Sequence, residues 1–96
     1  MRVALGKRAV FSADLYCRDS RSAKKALNEL VISVLAVDFS LHGRDNSCVV
    51  LRWAQSRSRL PNRVVLTESD RSRRAQLGTL LNSCGYRSID GANFYR

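Results

Sequence analysis

Ninety-six residues, 45% hydrophobic and 26% charged, suit one globular domain with a single thin core, and exclude two domains or a disordered chain. The charge is lopsided: 17 Lys and Arg face 8 Asp and Glu, net +9, and 14 of the 17 cations are arginine. The longest apolar runs, Val31–Val37 and Cys48–Leu51, are far too short to cross a bilayer, and the start MRVALGKR lacks the apolar stretch of a secretory leader. A soluble, cytoplasmic protein with no membrane partner is the expectation.

Residues Arg2–Leu5 form a short apolar run and a candidate first strand. Ala9–Cys17 is strand-like, interrupted by Ser12 and Asp14. Asp19 or Ser20 can cap a helix running to about Leu30, with Ala23, Ala26, Leu27 and Leu30 on one face. Val31–Val37 is aliphatic on both faces, the mark of a central parallel strand, and ends at Asp38. After the loop 39–46, Asn46 or Ser47 caps a second helix to about Arg59, with Val50, Trp53 and Ala54 inward and Arg52, Ser56 and Arg59 outward. Pro61 and Asn62 break it. Arg63–Thr67 reads as another buried strand. Ser69 or Asp70 then starts a third helix with a stripe of Leu77, Leu80, Leu81 and Cys84, and Gly85 stops it. Tyr86–Asp90 reads as a last strand, leaving GANFYR as a tail.

Alternation of this kind predicts a small doubly wound, flavodoxin-like α/β domain: a parallel sheet, strand order 2-1-3-4-5, with helices on both faces. Its N-terminus is abbreviated, because residues 6–12 are too few for a helical crossover. Ligands of such sheets gather at the carboxyl ends of the strands, which puts Asp38, the 39–46 loop, Thr67, Glu68 and Asp90 along one edge.

Cys17, Cys48 and Cys84 are widely spaced, without a zinc-type C-x-x-C pair, and His42 is the only histidine. They read as small hydrophobes in a reducing compartment, and His42 as a solvated loop residue. No P-loop, dinucleotide turn or Ser-His-Asp arrangement occurs, and no metal or other cofactor is expected.

The stretch VLAVDFSLHGRDNSCVVLRWAQSRSRLPNRVVLTESD, a strand ending in Asp, a helix, then a strand ending in Thr, resembles the middle of a response-regulator receiver domain. The short start resembles a compact receiver-like family proposed to process cyclic phosphates. The resemblance covers about residues 20–90. It implies a phosphoacceptor position at Asp38 and a hydroxyl position at Thr67. The acidic pair that would hold Mg²⁺ is replaced by Gly6 and Lys7, the lysine after the last strand is absent, and the compact family's His-Ser pair is matched by Thr67 and Glu68.

The broken pocket and the charge together suggest a non-enzymatic, degenerate receiver-like module. It would be a regulatory or protein–protein interaction domain for an acidic partner, of a size that also fits a phage- or plasmid-borne inhibitor. Phosphoacceptor or cyclic-phosphate chemistry at Asp38 is one alternative, and Asp38 acting only as a loop cap is the bland one. Nucleic-acid binding is the other alternative, although no aromatic residues are interleaved with the cations along the chain. The expected binding residues are Lys7, Asp38, Arg52, Arg59, Arg71, Arg73 and Arg74, with Arg52, Arg59, Arg71 and Arg74 in one contiguous region. Arg73, in line with Leu77, Leu80 and Cys84, is expected to face the sheet. There it and Lys7 would neutralise Asp38 and lower its pKa.

Overall fold

The computed structural model describes residues 1–8 and 11–96, so Ala9 and Val10 of the expected second strand lie outside the described residues. Six strands, β1 (Arg2–Leu5), β2 (Leu15–Cys17), β3 (Val34–Val37), β4 (Arg63–Leu66), β5 (Arg87–Ser88) and β6 (Asn93–Tyr95), form one sheet of order β2-β1-β3-β4-β6-β5. Three helices, α1 (Ser20–Glu29), α2 (Ser47–Ser56) and α3 (Arg71–Ser83), complete the α/β fold. Each starts at a side chain that accepts backbone N–H groups: Asp19 from Ser22, Asn46 from Cys48 and Val49, Asp70 from Arg73. Such caps contribute about 1 kcal/mol each.

The first four strands are parallel and in the expected order. The far side is not. β6 runs antiparallel to β4 and pairs with β5 in a hairpin, so the sheet is mixed: the expected last strand is present as β5, in the same sense as β4, but the unexpected β6 lies between them. The turn of the hairpin is built on Asp90, which accepts the N–H groups of Ala92 and Asn93, and on Gly91 at φ 75°. An Asp-Gly pair in that geometry reverses the chain, so the expected tail GANFYR contains a strand, Asn93–Tyr95.

The expectation of helices on both faces is also corrected. Both β2-α1-β3 and β3-α2-β4 step along the sheet in the same direction, and right-handed crossovers then put their helices on the same side. One core confirms it. Val3, Leu5, Cys17, Leu35, Val37, Val64, Leu66 and Phe94, which alternate along their strands, pack with Ala23 and Leu27 of α1, Leu51 and Ala54 of α2, and Leu77 and Leu81 of α3. The molecule has two layers. Arg2, Tyr16, Val34, Arg63 and Tyr95 project from the other side of the sheet, where no helix lies among the described residues.

Two boundaries differ for local reasons. β1 begins at Arg2, opposite Val34, so Val31–Ser33 have no strand beside them and become the turn after α1, with Val31 90% exposed. The second helix stops at Ser56, where Arg57 and Ser58 leave helical geometry and Ser58 takes a positive φ of 54°. Trp53 is half-buried against the core, with Arg57 4.8 Å and Lys24 5.8 Å from its ring centre. No helix among the described residues is long and apolar enough to cross a membrane.

Candidate functional site at the carboxyl edge of the parallel strands

Where β1, β3 and β4 end, their following residues converge: Gly6 to Arg8, Asp38 to Ser40, and Thr67 to Asp70. The parallel ladder fixes them. Asp38 N–H donates to Leu5 O at 2.8 Å, Thr67 N–H to Val37 O at 2.9 Å, and Lys7 N–H to Ser40 O at 2.8 Å. Between them lies an open cleft of about 510 Å³, with Lys7, Arg8 and Arg73 as its cations and Asp38, Glu68 and Asp70 as its acids. Ser40, Thr67 and Ser69 complete its wall.

Asp38 and Glu68 form the centre. Phe39 N–H is shared between Asp38 Oδ1 and Glu68 Oε1, at 3.0 Å from each. Glu68 is buried and its Oε2 accepts Asp70 N–H at 2.9 Å, so it ties the loop after β3 to the cap of α3. Ser47 Oγ donates to the Asp38 carbonyl, anchoring the start of α2 to the same point.

Burial, then the hydrogen bond to Glu68 and its charge, push the Asp38 carboxyl up to about 6. Glu68 moves the other way. Burial works against its ionisation, but hydrogen bonds from Asp38 and from the Asp70 and Phe39 N–H groups hold it below the ordinary value. Below about pH 6 the proton of the pair therefore sits on Asp38, beside an ionised Glu68, as happens with adjoining carboxyl groups of unequal surroundings.

This overturns the expected cation pairing of Asp38. Arg73 is exposed rather than turned to the sheet. Its guanidinium lies 5.3 Å from the Phe39 ring centre and donates to Ser40 Oγ at 3.1 Å. The cause is helix placement: the first turn of α3 projects beyond the strand ends, and its stripe enters the core only at Leu77. The Asp38 partner that sequence reasoning missed is Glu68, placed on this edge but not joined to it. The signal was its position two residues beyond the end of β4, the strand beside β3.

Lys7, Asp38, Thr67 and Arg73 are thus brought together, with Arg8 added. The other expected binding residues are dispersed. Arg52 lines a groove between α2 and α3, on the flank of α3 that carries Ser72 and Gln76. Arg71 and Arg74 line the opposite flank, toward Phe94 and the β5–β6 hairpin. Arg59 is exposed beyond α2 and lines neither. Arg74 is a brace, donating from Nε and Nη2 to the Glu68 carbonyl at 2.9 and 2.8 Å. Cys17 and Cys48 are buried, which raises both thiols, and His42 is exposed.

The arrangement can hold and release one proton near neutral pH, and it offers three cations to an anion. Among the described residues, no group of three or more His, Cys, Asp or Glu side chains is placed to hold a metal ion. Compared with known proteins, the chain matches no family model, no curated protein and no solved structure.

Proposed function

We propose that this domain is a non-enzymatic, receiver-like module that binds an acidic macromolecular partner. The observation that carries the reading is the engagement of Asp38. Its Oδ1 accepts the Phe39 N–H at 3.0 Å and its carboxyl lies against the buried Glu68, whose charge opposes further negative charge there, whereas attack on phosphorus needs a free oxygen and builds up negative charge. The departures from the receiver pattern agree, since the Mg²⁺-binding pair is replaced by Gly6 and Lys7. Charge supplies the affinity. Arg71, Arg73 and Arg74 open α3 with no acidic residue in its first turn, where the helix dipole disfavours cations. All three are exposed, which suits them to an anionic partner.

A second reading has one observation in its favour. A carboxyl poised at about 6 in a cationic cleft is also the form of a general acid or base acting on a phosphate ester. Assay of cyclic-phosphate and phosphodiester hydrolysis against Asp38→Ala, together with incubation with acetyl phosphate and Mg²⁺ followed by mass spectrometry, tests both: turnover that Asp38→Ala abolishes would favour the acid–base reading. The binding module stays unlabelled, and a phosphoryl group on Asp38 would replace this reading with that of a phosphoacceptor.

A further inference from the structure

The sheet face away from the helices carries a second cationic surface that belongs to neither the cleft nor the helix layer. Residues in register share a face. Arg2 lies opposite Val34, and Arg63 and Arg87 both lie opposite Tyr95. Because Leu35 pairs with Val64, the residues before them, Val34 and Arg63, fall side by side. One row therefore crosses the sheet as Arg2, Val34, Arg63, Tyr95, Arg87. It holds three arginines and no acid. Asp14, the carboxylate that hydrogen bonding puts beside it, is taken up by Arg2 N–H at 2.8 Å.

Aromatic rings stand within this row. The Arg2 guanidinium lies 4.7 Å from the centre of the Phe11 ring, and that of Arg63 lies 5.7 Å from the centre of Tyr95, which is 51% exposed. Between the two stacks is a groove of about 420 Å³, floored by Val34 and Val65 and edged by the amide of Asn93. The interleaving of cations and rings that is missing along the sequence is supplied across the strands.

We infer that this open face binds single-stranded nucleic acid, with Arg2, Arg63 and Arg87 on phosphates and bases stacked against Tyr95 and Phe11. The inference rests on the reading of the domain as a module for an acidic partner and names both the surface and the partner. Single strands fit because their bases expose planar faces to aromatic and guanidinium groups, which paired bases do not. An apolar floor between two ring–guanidinium stacks suits a planar base, whereas a flexible acidic side chain has no use for it. A second copy of this chain is excluded as occupant by the like charge of the two rows.

The test is fluorescence anisotropy with end-labelled single-stranded DNA and RNA of about ten nucleotides, within the usual site sizes. The same sequence as duplex and labelled polyglutamate are measured beside them. The single strands are expected to bind best. Tyr95→Ala should weaken them about tenfold, as loss of a stacking partner does, and Arg63→Ala should lower the slope of log affinity against log salt by about 0.7. Arg52→Ala and Arg59→Ala should leave affinity nearly unchanged. Folding of each variant is checked by circular dichroism, and Arg87→Ala, on the edge strand, replaces Arg63→Ala if the latter unfolds. Equal affinity of the face variants and the parent protein, or tighter binding of duplex, would overturn the inference. Binding of polyglutamate without binding of oligonucleotides would overturn it too while leaving the module reading intact. Binding of neither would remove both.

Discussion

Gly6 and Asp38 touch across the sheet edge: a Cβ on Gly6 would lie 2.6 Å from the Cβ of Asp38 and 3.5 Å from its Oδ2. Neither backbone can withdraw. Gly6 N–H donates to Cys17 O at 3.0 Å, and Asp38 N–H donates to Leu5 O at 2.8 Å. Position 6 is where the receiver resemblance would place a metal-binding acid. The close contact is with the Asp38 Cβ, which no rotation of that side chain removes, so the approach of the two backbones itself excludes an acid at position 6.

Gly6→Ala is therefore expected to destabilise the domain by about 1–3 kcal/mol, the usual cost of overpacking a closed site. Urea unfolding measures it. The clash is with the Asp38 Cβ, so adding Asp38→Gly should recover part of the loss. Strictly additive effects would show that this contact is not the cause.

The carboxyl pair makes stability depend on pH in a definite direction. Asp38 shifts from 3.8 to about 6 on folding, so between those values the folded state holds a proton that the unfolded chain has lost. Its contribution is complete below about pH 4 and disappears as pH rises through about 6. Glu68, held below 4.5, has the opposite sign: its contribution is present above that value and is lost as pH falls. Stability should peak between these ranges and fall by roughly 1–2 kcal/mol toward pH 8, after allowance for solvent screening. Asp38→Asn, which keeps a donor toward Glu68 without titrating, should flatten that decline. An unchanged pH profile in the variant would remove Asp38 as its source.

Much of this could be read from residue order, and the misses have local causes. The β3 and β4 runs, the three helices and their caps are each specified by neighbours close in sequence, so Asp19, Asn46 and Asp70 were within the expected choices. The order of the parallel strands followed from alternation and handedness. The single helix layer did not, because it depends on the length of one connection: only residues 6–14 join β1 to β2, too few for a helical crossover, and among the described residues no helix covers the far face. The hairpin at Asp90-Gly91 was legible as a turn signal, but Phe94 stood alone as an apolar residue in a polar segment and hid the returning strand. At the site, Asp38 was found by its strand end. Its partner Glu68 is 30 positions away, and which of the nearby charges would reach it was settled by α3 entering the core only at Leu77, a property of packing rather than of pattern.

Charge reversal in the first turn of α3 should have an unusual sign. Arg71, Arg73 and Arg74 face the positive end of the helix dipole, and the first turn after the cap Asp70 holds no acid. Arg71, unlike Arg73 and Arg74, has no hydrogen bond to the loops that frame the cleft. Arg71→Glu is expected to raise stability by about 0.3–1 kcal/mol at low ionic strength, an effect that fades with salt. Thermal unfolding at two salt concentrations checks it, and a loss of stability would mean that Arg71 makes a structural contact.

Arg96 fastens the end of β6 to the helix layer. Its guanidinium lies 4.8 Å from the centre of the Tyr86 ring, donates to Leu60 O at 3.4 Å and Cys84 O at 3.3 Å, and reaches Gln55 Oε1. Tyr86 is buried and donates its hydroxyl to Pro61 O, so the segments after α2 and α3 meet at one aromatic ring beneath one cation. A planar fork can stack on that ring and meet several acceptors together, whereas an ammonium group supplies a point charge with no plane to stack. Arg96→Ala should cost about 1 kcal/mol, given that the side chain is largely exposed. Arg96→Lys should recover little of it. Hydrogen exchange should quicken at Gly85 and Tyr86, whose N–H groups bond to Asn82 and Leu81, and at Arg96, whose N–H bonds to Asn62. Exchange at Asp38 and Thr67, at the opposite end of the parallel strands, should be unchanged. Full recovery of stability in Arg96→Lys would show that charge alone, rather than the stacked fork, holds this corner.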